Sequence, residues 1–205
     1  MKDAAARLTP LGVMLLALLR EGDMHPYEMI RLMRQRHDDH IVTLTNGTVY
    51  HTVARLDRLG LVEEVGVDRD GNRPERTTYR LTDAGDRAVH TWVRRELPVL
   101  DRPTEFRVAL AEAHNLSREE TLDLLRTRLV ALAEARNEYH VGSAKARAGG
   151  VPDQYLVEVD RQLALLEADH DWLARFVARL AEPTFVWGAH PTTDRYLAQR
   201  EAARQ

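Results

Sequence analysis

The feature that most restricts the fold is a double change of period around Gly60. Upstream, Val49, Val53 and Leu56 recur at helical spacing between a possible cap at Thr45 or Asn46 and a glycine suited to a left-handed helix end. Downstream, Leu61-Val62-Glu63-Glu64-Val65-Gly66-Val67 is β-branched and reads as an extended strand. The segment Asp68 to Arg76 is turn-rich, with Asp70-Gly71 as a hairpin signal, and Thr77 to Leu81 alternates as a return strand. Thr82 then caps a further helix running toward Trp92 and Leu97. Few small folds pass from helix to hairpin and back in so short a space.

The preceding residues narrow the choice. Thr9-Pro10 combines a hydroxyl cap with proline at the first helical position, and Leu11, Met14, Leu15, Leu18 and Leu19 give that helix an apolar face before Glu21-Gly22 ends it. His25-Pro26 starts a second helix, with Tyr27, Ile30 and Met33 expected inward and Arg31, Arg34 and Arg36 outward. Three helices, a two-stranded hairpin and a fourth helix make a winged helix-turn-helix, whose third helix is the one that enters a major groove. The outward face of that helix carries Thr48, His51, Arg55 and Arg58. Arginine can read guanine bidentately, and hydroxyls can satisfy phosphate oxygens. An ordinary amphipathic helix with a solvated face has the same spacing, and the loop alone could be an inert hairpin. Placed directly after the cationic helix, the loop arginines Arg69, Arg73 and Arg76 fit a wing that reaches phosphates or the minor groove.

Composition sets outer limits. The chain has 205 residues and is 44% hydrophobic and 30% charged, which are globular values and allow one large or two small cores. With no cysteine, disulfides, thiolate metal sites and thiol nucleophiles are excluded. The longest apolar run, around Leu15 to Leu19, is too short to span a bilayer, and no signal-peptide pattern opens the chain, so a soluble cytoplasmic protein is expected. Residues 1–82 hold twelve basic and twelve acidic residues, leaving the formal charge of −3 to the remainder. DNA binding must therefore rest on where arginines are placed, not on a basic domain.

The second half is helical. Pro98 to Pro103 reads as a connection, Thr104 to His114 as a short helix, and Ser117-Arg118-Glu119-Glu120 as a capping box. Leu122, Leu125, Leu129 and Leu132 follow a packed seam that Tyr139 continues. After the breaks at Gly149-Gly150 and Pro152, Leu156, Val159, Leu163, Leu166, His170, Leu173, Val177 and Leu180 form a second seam. The first long helix can cover part of it, and a second copy of the chain the rest; an intramolecular hairpin alone is the other possibility. His170 is expected either to fix register or to make the contact sensitive to pH or ligand. Pro183 stops the helix ahead of Phe185, Val186 and Trp187 in a polar tail. The expected architecture is mainly α: a winged-helix DNA-binding domain at 1–97, a helical dimerisation and effector domain at 98–182, and a tail at 183–205.

Several segments agree in order with one known family. Thr9-Pro10-Leu11-Gly12, His25-Pro26-Tyr27-Glu28, Asn46-Gly47-Thr48-Val49-Tyr50, Arg55-Leu56-Asp57-Arg58-Leu59-Gly60-Leu61-Val62 and Tyr79-Arg80-Leu81-Thr82-Asp83-Ala84-Gly85 together resemble the PadR family of bacterial transcriptional regulators, over about residues 8–97. One departure is Pro26, where many members have glycine; it stiffens the helix start. The resemblance implies that Thr48, Tyr50 and His51 lie at operator backbone and bases, with the wing arginines on neighbouring phosphates; Asn46, at the start of the same helix, is a further candidate DNA contact. It also implies a homodimer, formed through the helical half, whose recognition helices lie about 34 Å apart on a two-fold operator. Members commonly act as repressors released by a small aromatic effector, for which Trp92, Phe106, Tyr139 and Trp172 are the candidate pocket residues.

No catalytic constellation stands out, and neither a cofactor nor a membrane partner is expected. His37-Asp38-Asp39-His40 is the metal-like cluster, with His37 and His40 as weak candidate ligands, although polar helix ends are usually just solvated. The competing readings are a winged helix used as a protein-interaction module and a metal-responsive regulator.

Overall fold

The structure, a computed structural model, describes residues 4–68, 76–188 and 194–204. They divide into two compact units: Met1–Glu96 with Arg102–Asn115 and Ala189–Gln205, and Leu97–Asp101 with Leu116–Gly188.

In the first unit, helix α1 (Pro10–Leu19) is capped by Thr9, whose Oγ1 accepts from the Gly12 N–H at 3.2 Å. Every residue from Gly12 to Leu19 is buried. The one-sided apolar face read from the sequence is therefore too narrow. This helix packs against α3 (Asn46–Arg58), α4 (Asp83–Glu96) and α5 (Pro103–Ala111), and a helix covered from several sides is apolar all round. Helix α2 (Pro26–Gln35) buries Met29, Ile30, Leu32 and Met33 and packs on α3.

Gly60 ends α3 as its sequence requires. Its φ is +67°, the Gly60 N–H bonds the Asp57 carbonyl at 2.8 Å, and the Leu61 N–H bonds the Leu56 carbonyl at 3.0 Å. That pair of bonds is a Schellman motif, and it turns the chain straight into strand β1 (Val62–Asp68). Strand β2 (Arg76–Leu81) returns antiparallel, with Val62 opposite Leu81 and Asp68 opposite Arg76, and a bulge between Glu64 and Gly66. Thr82 caps α4 by accepting from the Gly85 N–H at 3.1 Å. Gly85 itself is a packing requirement: a Cβ there would lie 2.1 Å from the Leu61 carbonyl oxygen.

Two additions to this unit were not legible as part of it. Helix α5 packs on α4 and α1, with Val108 and Ala109 buried. Helix α8 (Asp194–Arg204) packs on α2. There Arg200 donates to the carbonyls of Glu21 at 2.6 Å and Asp23 at 3.3 Å, and Arg204 Nε donates to the buried Glu28 carboxylate at 3.3 Å. A short Arg- and Gln-rich helix at the end of the tail is what the sequence suggests, but charges held in specific pairs, not apolar periodicity, decide where it docks.

The second unit is a helical hairpin of α6 (Arg118–Ala148) and α7 (Val157–Ala181). Ser117 Oγ caps α6 through the Glu120 N–H at 3.1 Å. Arg136 faces His170, His140 faces Glu167 and Arg147 faces Asp160, so the helices run antiparallel. On α6 the buried line is Leu122, Leu125, Arg128 and Leu132, with Leu129 only half-buried. Arg128 takes the position the pattern gave to leucine because its guanidinium donates to the Val99 carbonyl. Burial lowers its pKa to about 10, against the nearby Asp169 charge, so it stays cationic at neutral pH. No described helix is long and apolar enough to cross a membrane.

Candidate nucleic-acid interface

Helix α3 is fixed at its start by a reciprocal cap. Thr45 Oγ1 accepts from the Thr48 N–H at 3.1 Å, and Thr48 Oγ1 accepts from the Thr45 N–H at 3.0 Å. The Thr48 hydroxyl also donates to the Thr45 carbonyl at 2.9 Å, so its proton is already committed within the turn. Val49, Val53 and Leu56 point into the core, which rotates the opposite face outward. Asn46, Thr48, Tyr50, His51 and Arg58 are exposed and Arg55 is half-buried.

The exposed face is graded along the helix. Its first turn offers backbone N–H groups at the positive end of the helix dipole, and a Cβ added at Gly47 would meet nothing within 4 Å. The last turns hold Arg55 and Arg58. Arg58 Nε donates to the Ala54 carbonyl at 3.2 Å, and Arg55 Nη2 reaches Thr9 Oγ1 at 3.5 Å. Arg58 thus lies along its helix and Arg55 reaches across to the cap of α1, each with donor capacity left over.

The ring of Tyr50 meets His25 edge-on at 6.0 Å, which links α3 to the cap of α2, where His25 Nδ1 accepts from the Tyr27 N–H at 3.0 Å. Tyr27 is the clear misreading from sequence. It is 43% exposed, with the Arg31 guanidinium 5.8 Å from its ring centre. The buried stripe is complete without it, since Pro26, Met29, Ile30 and Met33 already follow i, i+3, i+4 and i+7. That phase was the available signal, and it places Tyr27 and Arg31 on the exposed surface beside His25.

The base of the wing is anchored to the turn before α2. Met24 and Tyr79 exchange two backbone hydrogen bonds of 3.0 Å. Arg80 grips Asp23 through two bonds, of 3.0 and 2.6 Å. The Tyr79 hydroxyl donates to Glu64 at 3.4 Å, and burial together with that carboxylate raises its pKa. Arg69 and Arg73 lie outside the described residues, and Arg76 is described through its backbone alone, as the first residue of β2.

The remaining candidates fall in separate units. Trp92 is 1% exposed within the core of the first unit, and Phe106 is half-buried on α5. Tyr139 is half-buried on α6. Trp172 is 41% exposed and stacks on Phe176 at 5.4 Å, beside Phe185 and Trp187. In the α7 seam Leu156, Leu166, Leu173 and Leu180 are buried, and Val159, Leu163, His170 and Val177 are half-buried. His37, Asp39 and His40 are exposed and close together.

Residues 15–91 match the model of the transcriptional regulator PadR-like family. The negative transcriptional regulator PadR of Bacillus subtilis (strain 168) is 26% identical over 152 residues, covering 70% of this chain and 82% of that protein. The crystal structure of Bacillus subtilis PadR with operator DNA aligns at a TM-score of 0.40 and 22% identity, covering 83% of this chain and 98% of that one. The same protein with p-coumaric acid aligns at 0.37 and 21%, covering 85% and 100%. Over residues 15–91 the chain is thus similar to the PadR-like family of transcriptional regulators.

Proposed function

We propose that this regulator is a repressor that binds double-stranded DNA as a homodimer, placing α3 of each copy in successive major grooves of a two-fold operator. The observation that carries the reading is the outward face of α3: a capped, rigid helix whose apolar side is buried and whose free side offers Asn46, Tyr50, His51, Arg55 and Arg58. Repression is supported by the name of the Bacillus subtilis relative, and its mechanism is occupation of a promoter. Arginines and the helix start supply salt-dependent affinity through phosphates, and side chains of the middle turns supply selectivity. Arg69, Arg73 and Arg76 take the phosphates flanking the groove in this account.

The second copy docks on the helical hairpin. Its own α6 covers the deepest seam leucines, while Val130, Val141, Val157, Leu165 and Trp172 remain exposed on the same unit. Exposed apolar side chains of this kind are what a partner copy would bury. The effector is a small aromatic compound, with exposed Trp172 the better contact and Trp92 sealed within its own core. The test is a mobility shift on DNA from upstream of the protein's own coding region, with random duplex as competitor. Retention of a discrete complex under excess random DNA supports the reading. Equal competition by random DNA refutes sequence-specific binding.

A further inference from the structure

The turn between α2 and α3 carries a cluster that the DNA-facing surface does not use. His37, just past α2, has φ 61° and ψ 30°, and is the one non-glycine with positive φ among the described residues. A left-handed backbone at such a residue costs about 1–2 kcal/mol. It is followed by a 3-10 turn at Asp38–His40, held by His40 N–H to the His37 carbonyl at 3.1 Å and Ile41 N–H to the Asp38 carbonyl at 2.9 Å. The left-handed bend at His37 and the tight turn after it bring the two imidazoles together. Their ring centres are 5.8 Å apart with the planes at 82°. Asp39 adds a carboxylate, and one ligand atom from each of His37, Asp39 and His40 lies within 4.8 Å of the others.

We propose that His37, Asp39 and His40 form a site for a divalent first-row transition ion of the zinc, nickel or copper type. Two imidazole nitrogens and one carboxylate oxygen would supply the protein ligands, with solvent in the remaining positions. Ligand atoms around such an ion sit roughly 3–3.5 Å apart, so modest rotation of three exposed side chains closes the set. The donor set selects against magnesium and calcium, which prefer all-oxygen shells. Asp38, on the same turn, is not part of the group. The bound ion would hold the turn that follows α2 in one conformation.

The test is calorimetric titration of zinc chloride into the tag-free full chain in a non-coordinating buffer near neutral pH, with magnesium chloride as control. Histidine ring resonances are followed by NMR, because the chain has nine histidines. The expected result is one zinc per chain at roughly micromolar Kd, with two histidines shifting together. His40→Ala and His37→Asn should each weaken binding at least about tenfold. Asparagine tolerates the left-handed backbone, so the second variant removes the imidazole without refolding the turn. Binding no tighter than millimolar, unchanged zinc affinity in both variants, or magnesium bound as tightly as zinc would each overturn the site. None of these readouts involves DNA, so they stand or fall apart from the repressor reading.

Discussion

Helices α3 and α7 are both amphipathic, yet they leave opposite kinds of surface in solvent. Helix α3 buries Val49, Val53 and Leu56 and shows water a polar, cationic face. Helix α7 buries Leu166, Leu173 and Leu180 against α6 and still shows water Leu165 and Trp172. A polar face on a rigid helix costs nothing when unoccupied and gains energy only from a charged, hydrogen-bonding partner. An exposed apolar face is a standing cost that only apolar burial removes. The difference is the physical ground for proposing recognition by the first unit and self-association by the second.

The largest expected effect lies in the second unit. Leu173→Ala removes a side chain that is 1% exposed and should cost about 2–5 kcal/mol. Thermal denaturation should show it as a lower transition, with dimerisation weakened by analytical ultracentrifugation. A stability loss with no change in association would separate the seam from the dimer contact and so sharpen the contrast. In the first unit, Arg58→Ala should leave the melting temperature unchanged and weaken DNA affinity by about 1–3 kcal/mol, measured by fluorescence anisotropy. A fall in stability without a fall in affinity would break the division between the two helices.

A smaller effect concerns Glu112. The residue is half-buried overall, but its carboxyl lies in crowded surroundings, and burial pushes its pKa up to about 7 despite the Asn115 amide donating to it at 2.9 Å. An acid with a raised folded pKa binds more protons folded than unfolded. Its contribution is therefore fully present below about pH 4.5 and is lost as pH rises through about 7. Glu112→Gln should flatten that part of the stability profile in urea titrations across this range, and an unchanged slope would contradict it. Smallest is Thr45→Ala, which removes the α3 cap and should cost about 1 kcal/mol. Helix-start amides should then exchange faster while the α6–α7 amides do not change.

What could be read from the sequence was what repeats locally. The α3 stripe, the Gly60 stop, the hairpin and the Thr82 cap each follow from a few adjacent residues with a steric or hydrogen-bonding reason. The outward set on α3 was legible for the same reason, because burying three apolar positions fixes where the others point. Features that depend on distant partners were not. The burial of Arg128 against the Val99 carbonyl breaks a leucine pattern that has no local flaw. The docking of α8 through Arg200 and Glu28 joins groups far apart in the chain, and nothing in the spacing of either announces the other. Tyr27 lies between these cases, since its phase was readable but a tyrosine beside two apolar positions looks like core.

The most direct test of the account places a photo-crosslinking amino acid at His51 on α3 or at Val130 on α6 and irradiates each protein with operator duplex. The account predicts adducts to DNA bases from position 51, lost under random competitor, and protein–protein adducts from position 130. DNA adducts from position 130 with none from position 51 would contradict it.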